Sequence, residues 1–147
     1  MSILIAYDGS DNAKHAIRVA ADVLGGGPAR VVHAWEPGTS ASGRLAVYAF
    51  MADGSFELEY EAEQARVVAE QGAALAREAG FDASGTAIRG LGPIWETLCN
   101  YVDGEQPSLV VMGTRGLSGV RGLLSGSVSH GVAAHSHVPV LIVPPEN

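Results

Sequence analysis

The stretch ILIAYDGSDNAKHAIRVA, residues 3–20, predicts a strand, a tight turn and a helix in immediate succession. The run from Ile3 to Tyr7 is apolar at every position and too short for a helix, which is typical of a strand buried on both faces. Asp8-Gly9-Ser10 predicts a turn, and Ser10 or Asp11 is expected to cap a helix that ends before Gly25. A buried strand followed at once by a helix indicates an α/β protein.

The same alternation continues along the rest of the chain. Further strands are predicted at Val31 to Trp35, Thr86 to Arg89, Leu109 to Met112 and Val138 to Val143, and further helices at Phe56 to Ala79, Pro93 to Val102 and Ser127 to Ser136. This order predicts a single domain, residues 1–147, built on an open, doubly wound parallel sheet of five strands with right-handed crossovers. The connection from Glu36 to Ser55 is longer than the usual loop of about 4–6 residues, so we expect either a functional flap or a short helix around Leu45 to Met51.

Composition limits the classes of partner. The chain has 147 residues, 47% of them hydrophobic, and a formal net charge of -7, which argues against nucleic acid or an anionic membrane as a partner. A single cysteine excludes an internal disulfide and favours a reducing compartment. Since no apolar stretch approaches the length of a membrane span, a cytoplasmic protein with a small or neutral partner is expected.

Two candidate ligand positions follow predicted strands. One is the turn at Asp8-Gly9-Ser10, and the other is the stretch MGTRGLSGVRGLLSGSVS, residues 112–129, in which five of eighteen residues are glycine. If the first and fourth strands are neighbours, both positions open into one crevice at the carboxyl ends of the strands. Backbone N–H groups from Gly116 to Ser127 are then able to converge on a phosphate, and the alternative is a plain glycine-rich connection.

Known phosphate-binding motifs narrow the interpretation. A Walker A loop needs a lysine after its last glycine, but the only lysine is Lys14 on the first helix, so a P-loop ATPase and the lysine-dependent kinase template are excluded. The first turn also lacks the Gly-x-Gly-x-x-Gly fingerprint of dinucleotide enzymes. The remaining pattern is Gly113, two residues, Gly116, nine residues, then Gly126 and Ser127.

This spacing resembles the nucleotide-binding signature of the universal stress protein family. The resemblance covers nearly the whole chain, because residues 3–20 look like that family's opening strand, turn and helix, and VVHAWEP, LVVMGTRG and HVPVLIVPP look like its second, fourth and fifth strands. It implies a Rossmann-like sheet in the order 3-2-1-4-5, with ATP between strands one and four. ADP or AMP are the alternative ligands, and Mg²⁺ or Mn²⁺ is expected on the phosphates.

The resemblance also implies roles for individual residues. Asp8 is expected at the adenine and ribose end, near any phosphate-bound metal, with Ala34 beside the adenine and Gly113 near the ribose. The phosphates are expected to contact Gly116, Gly126, Ser127 and Val128. Arg115 and Arg121 are added on charge grounds, since two of the nine basic residues fall inside the loop; the alternative for each is a solvent-facing side chain.

The function implied is that of a stress-response regulator, a nucleotide-dependent switch or sensor acting on an unknown protein partner. At most slow ATP hydrolysis is expected, because the sequence shows no clear general base and no lysine for the transferring phosphoryl group. The alternatives are a hydrolase or nucleotidyl-transfer enzyme that uses Asp8 and a metal-bound water, and an interaction module with an empty pocket. The apolar strand at Val138 to Val143 is an exposed edge unless covered, so a homodimer is expected there, as is common in this family.

Other chemically suggestive residues receive structural interpretations. His130, His135 and His137 are expected to be exposed at the end of the last helix, because their spacing does not suit a zinc site. His33 is expected to be a hydrogen-bonded core residue, and Cys99 an inert, half-buried thiol.

Overall fold

Strands and helices alternate along the chain as the sequence predicts. The computed structural model describes residues 2–37, 56–114 and 127–146. The strands are β1 (Ile3–Ala6), β2 (Gly27–Trp35), β3 (Phe81–Arg89), β4 (Leu109–Gly113) and β5 (Val140–Val143), and the helices are α1 (Asp11–Leu24), α2 (Phe56–Ala79), α3 (Ile94–Glu105) and α4 (Ser127–His135).

The five strands form one parallel sheet in the order β3-β2-β1-β4-β5, which confirms the predicted topology. β1 lies at the centre, and all four of its residues are buried. This position explains the continuous apolar run, since a central strand in a doubly wound sheet has no solvent-facing side. β1 and β4 are direct neighbours, with Ile3 opposite Leu109 and Ile5 opposite Val111.

Helices cover both faces of the sheet. On one face, Ile3, Ile5 and Tyr7 pack in a core cluster with residues of α1 and α2. On the other face, Leu4 and Ala6 pack in a second cluster with residues of α3 and α4. Successive β1 side chains therefore enter opposite cores, as the two-residue period of a strand requires.

The turn between β1 and α1 is fixed by its own side chains. Ser10 is the N-cap residue, and its hydroxyl accepts a hydrogen bond from the Ala13 amide at 3.1 Å. Asp11 is the first helical residue, so Ser10 rather than Asp11 is the cap. The helix ends as predicted at Gly25, which has a left-handed φ of 74° and donates its N–H to the Ala21 carbonyl.

Small residues allow α2 to lie close to the sheet. Ala65, Ala69, Gly72 and Ala76 are all buried. A Cβ atom on Gly72 would lie 2.6 Å from Cδ1 of Tyr7 and 2.8 Å from Cγ1 of Val31. The glycine is therefore needed for space rather than for an unusual backbone conformation.

Two strands begin earlier than the sequence predicts. β2 starts at Gly27 instead of Val31, and β3 starts at Phe81 instead of Thr86. The added segments pair with each other, with Pro28 opposite Asp82 and Arg30 opposite Ser84. Gly, Pro and Asp are turn signals, and five of the nine added positions are exposed, so only the pairing of the two segments reveals them as strand.

Other element ends shift by one to three residues. β1 ends at Ala6 instead of Tyr7, β4 ends at Gly113 instead of Met112, and α3 begins at Ile94 instead of Pro93. α3 continues to Glu105 instead of Val102 and ends at Gln106, whose φ is 50° and whose N–H bonds to the Val102 carbonyl. α4 ends at His135 instead of Ser136, and β5 begins at Val140 instead of Val138. The short helix predicted around Leu45 to Met51 lies outside the described residues. Within the described ranges, no helix is both long enough and apolar enough to span a bilayer.

Candidate functional site

The carboxyl ends of β1 and β4 form the centre of the candidate site. From β1 the chain passes through α1 to β2 on one side, whereas β4 is followed by β5 on the other side. The strand order therefore reverses direction between these two strands, and ligands in open parallel sheets bind at such a point. The turn at Asp8 follows β1, and Gly113 ends β4.

Asp8 is half-buried and organises the turn. Its Oδ1 accepts a hydrogen bond from the Ser10 amide at 2.9 Å, across Gly9, which has a φ of 84°. The positive φ requires glycine or a strained residue, so the Asp-Gly-Ser sequence is matched to this backbone. The structure thus assigns Asp8 a turn-forming role at the edge where the ligand was predicted.

The side chain of His33, on β2, forms a hydrogen bond with the main chain at Tyr7, the residue before Asp8. Its Nδ1 lies 2.9 Å from the carbonyl oxygen of Tyr7, and since a carbonyl only accepts, the ring donates from Nδ1. Burial lowers the pKa of His33 from its ordinary 6.5, while the Tyr7 hydrogen bond and the Asp8 charge act in the opposite direction. The predicted hydrogen bond is confirmed, but the side chain is partly buried rather than a full core residue. Ala34, the predicted adenine neighbour, follows it near the end of β2 and is partly buried.

Asn12 is a residue of this edge that the sequence analysis did not single out. It is 7% exposed, its Nδ2 donates to the Val143 carbonyl at 3.1 Å, and its Oδ1 accepts from the Thr114 hydroxyl at 3.3 Å. The amide also lies against Gly113, where a Cβ atom would be 2.7 Å from Cγ of Asn12. No local pattern marks this asparagine, because its partners are Thr114, which follows β4, and Val143 of β5, both more than a hundred residues away along the chain.

The first turn of α4 carries two more of the predicted residues. Ser127 is the first helical residue and is exposed, and Val128 is partly buried and packs against the core cluster of α3 and α4. Helix N-termini present unpaired N–H groups that favour anions. Arg115, Gly116, Arg121 and Gly126 lie outside the described residues.

The three late histidines are exposed, as expected. The rings of His135 and Trp95 stack with their centroids 4.4 Å apart, and Nδ1 of His137 lies 3.1 Å from a carboxylate oxygen of Asp103. Cys99 is 7% exposed and thus more deeply buried than the half-buried thiol predicted. Burial raises the pKa of its thiol, with a smaller contribution from Asp103, which agrees with an unreactive side chain.

Together, these features define the class of protein. The five-stranded parallel sheet, its helices on both faces and the reversal of strand order between β1 and β4 make the chain a doubly wound, Rossmann-like α/β protein. The model of the universal stress protein family matches residues 1–144, and the chain belongs to this family. A curated relative from Thermus aquaticus, the universal stress protein in the QAH/OAS sulfhydrylase 3' region, is 38% identical over 146 residues and is aligned over 97% of both chains.

Solved structures share the fold. The hypothetical protein MJ0577 aligns with a TM-score of 0.72 and 22% identity, over 99% of this chain and 96% of its own. A universal stress protein in complex with cAMP aligns with a TM-score of 0.64 and 24% identity, over 97% and 96% of the two chains. The Archaeoglobus fulgidus universal stress protein in complex with dAMP aligns with a TM-score of 0.64 and 20% identity, over 97% of both chains. Adenine nucleotides are therefore ligands of structural neighbours.

Proposed function

We propose that this protein binds an adenine nucleotide in the crevice between β1 and β4 and acts as a nucleotide-dependent switch or sensor in a stress response. The observation that carries the proposal is the adjacency of β1 and β4, because it brings the Asp8 turn and the start of the glycine signature to one edge of the sheet. The complexes of structural neighbours with cAMP and dAMP support the same class of ligand.

The residues proposed to bind nucleotide fall into two groups. Asp8, Ala34 and Gly113 belong to the carboxyl edge of the sheet and are proposed for the base and ribose, while Ser127 and Val128 begin α4 and are proposed for the phosphates. Arg115, Gly116, Arg121 and Gly126 are proposed from the sequence alone. Main-chain N–H groups are suited to phosphate because they need no charged side chain and glycine permits close approach.

ATP is the proposed ligand, with ADP or AMP as alternatives. Magnesium in nucleotide sites is held by one or two carboxylates and by the phosphates themselves. Asp8 fits this requirement, because its carboxylate is half-buried at the site and the turn uses only its Oδ1 in the hydrogen bond to Ser10. When bound, Mg²⁺ or Mn²⁺ would neutralise phosphate charge.

Assembly and location complete the proposal. β5 is the last strand of the described sheet, and three of its four residues are only partly buried although all are aliphatic. An apolar edge of this kind is suited to pairing with a second copy, so a homodimer through Val138 to Val143 is proposed. The proposed location is the cytoplasm, and the proposed downstream partner is a regulatory protein. A monodisperse monomer by light scattering at micromolar concentration would contradict the dimer.

The test is mass spectrometry of small molecules released by denaturing freshly purified protein. The expected result is an adenine nucleotide in the parent and none in a Gly126→Asp variant. Gly104→Asp is the matched control, since Gly104 is exposed on α3, a Cβ there meets nothing within 4 Å, and the added charge is the same. A parent protein that releases no nucleotide and does not bind added ATP would contradict the proposal and favour the alternative, an interaction module with an empty pocket.

Turnover separates a switch from an enzyme. A switch should hold its nucleotide with at most slow release of ADP or AMP. Product formed faster than nucleotide exchange, and abolished by Asp8→Ala, would instead assign an enzyme of the same fold.

A further inference from the structure

A single buried amide connects the three chain segments that meet at the carboxyl edge. Asn12 lies in the first turn of α1, just after the Asp8 turn, and contacts the exit of β4 and the end of β5. The Thr114 amide also donates to the Val143 carbonyl, at 3.2 Å. Asn12, Thr114 and Val143 therefore form a hydrogen-bonded triangle, which we call the Asn12 brace.

The brace is suited to hold a fixed distance. An asparagine that is 7% exposed loses its hydrogen bonds to water, so any movement that breaks its protein partners leaves a buried polar group unpaired. Its flat amide also fills the space beside Gly113, where a Cβ atom would lie within 2.9 Å of Cγ, Oδ1 and Nδ2 of Asn12. A side chain of α1 therefore contacts the chain at the point where it leaves β4.

We propose that Asn12 is a positioning residue of the nucleotide site. It holds Gly113 and Thr114, from which the glycine signature departs, in a fixed position relative to the turn that contains Asp8. The inference rests on the proposed nucleotide binding. Asn12 acts through the backbone of β4 rather than through contact with the ligand. Its loss lowers affinity because part of the binding free energy is then used to restore the geometry of the site.

The test compares Asn12→Ala with Ile17→Ala in calorimetric titrations with ATP. Ile17 is 1% exposed on the same helix and belongs to a core cluster that includes Val143 but neither Asn12 nor Thr114, so its truncation lowers stability while it removes no atom of the Asn12 hydrogen bonds. The affinity of Asn12→Ala is expected to fall about tenfold, the loss of about 1.4 kcal/mol. Ile17→Ala is expected to stay within about twofold of the parent.

A second readout separates positioning from general destabilisation. Amide hydrogen exchange at Thr114 should accelerate in Asn12→Ala, at a temperature where both variants are folded, and should be unchanged in Ile17→Ala. If Asn12→Ala does not fold, Thr114→Val removes only the hydroxyl that donates to Oδ1 and is expected to weaken binding by about twofold.

The outcomes distinguish the two proposals. A parent that binds no nucleotide overturns the proposed function and this inference with it. A parent that binds ATP, with Asn12→Ala binding equally well or Ile17→Ala losing as much affinity, overturns the inference alone. For the milder variant, an unchanged affinity of Thr114→Val counts against the brace.

Discussion

Replacement of Gly113 by alanine is the most sensitive test of the packing at the end of β4. The glycine is not among the described residues with positive φ, so its backbone suits alanine. The obstacle is Asn12, because the new Cβ would lie 2.7 Å from its Cγ, 2.8 Å from Oδ1 and 2.9 Å from Nδ2, where ordinary contact begins at about 3.4 Å. Either the asparagine or the strand end has to move.

The expected cost follows from the contacts that this movement breaks. Overpacking of a filled interior costs about 1–3 kcal/mol, and a buried polar group that loses its partner costs about 1–3 kcal/mol. Since one displacement relieves the clash by breaking the hydrogen bonds, the two terms overlap, and we expect a loss of about 2–4 kcal/mol in the free energy of unfolding. For a chain of this length, that corresponds to a fall of roughly 6–13 °C in melting temperature.

Urea unfolding followed by circular dichroism measures this loss, and Gly104→Ala is the matched control. Gly104 is exposed near the end of α3, and a Cβ there meets nothing within 4 Å. The same substitution should therefore stabilise the control by about 0.5–1 kcal/mol, through the lower helix cost of alanine. A Gly113→Ala protein as stable as the parent would refute the described contact between β4 and Asn12.

Three further predictions concern other parts of the molecule. Gly131→Ala should lower stability by about 2 kcal/mol or more and change tryptophan fluorescence, because its Cβ would lie 2.3 Å from Cγ of Trp95; an unchanged emission spectrum would contradict this packing. Burial lowers the pKa of His33 below 6.5, so its neutral form stabilises the fold above pH 6.5. This contribution is lost as the pH falls from 6.5 through the lowered pKa of the folded state. Urea unfolding measured across this pH range should show a smaller loss of unfolding free energy for His33→Gln than for the parent. Cys99 is buried with a raised thiol pKa, so a thiol reagent should label it only as fast as the protein opens, and immediate labelling of the native protein would be inconsistent with its environment.

The alternation of strands and helices was predictable because each element carries its own signal. β1 and β4 are short apolar runs that end in glycine or an Asp-Gly turn, and the family resemblance supplied the order of the sheet. The prediction that the Asp8 turn and Gly113 share one edge is confirmed as far as the adjacency of their strands, since β1 pairs directly with β4.

The features missed from the sequence all depend on distant partners. The first residues of β3 alternate buried and exposed positions, but Gly85 and Asp82 are poor strand formers, and only pairing with β2 makes the segment a strand. In the sequence, Asn12 does not differ from other polar residues in the first turn of a helix. Only the structure shows that it contacts the ends of β4 and β5. A helical pattern shows which face of a helix is apolar but gives no information about a polar contact in the tertiary structure.

Calorimetric titration of nucleotide-free protein with ATP and AMP tests the central claim most directly. The account predicts saturable binding with one nucleotide per chain, retained in Gly104→Asp and lost in Gly126→Asp while the unfolding temperatures of both variants remain above the temperature of the titration. Absence of binding heat in the folded parent for both nucleotides, or full binding by Gly126→Asp, would contradict it.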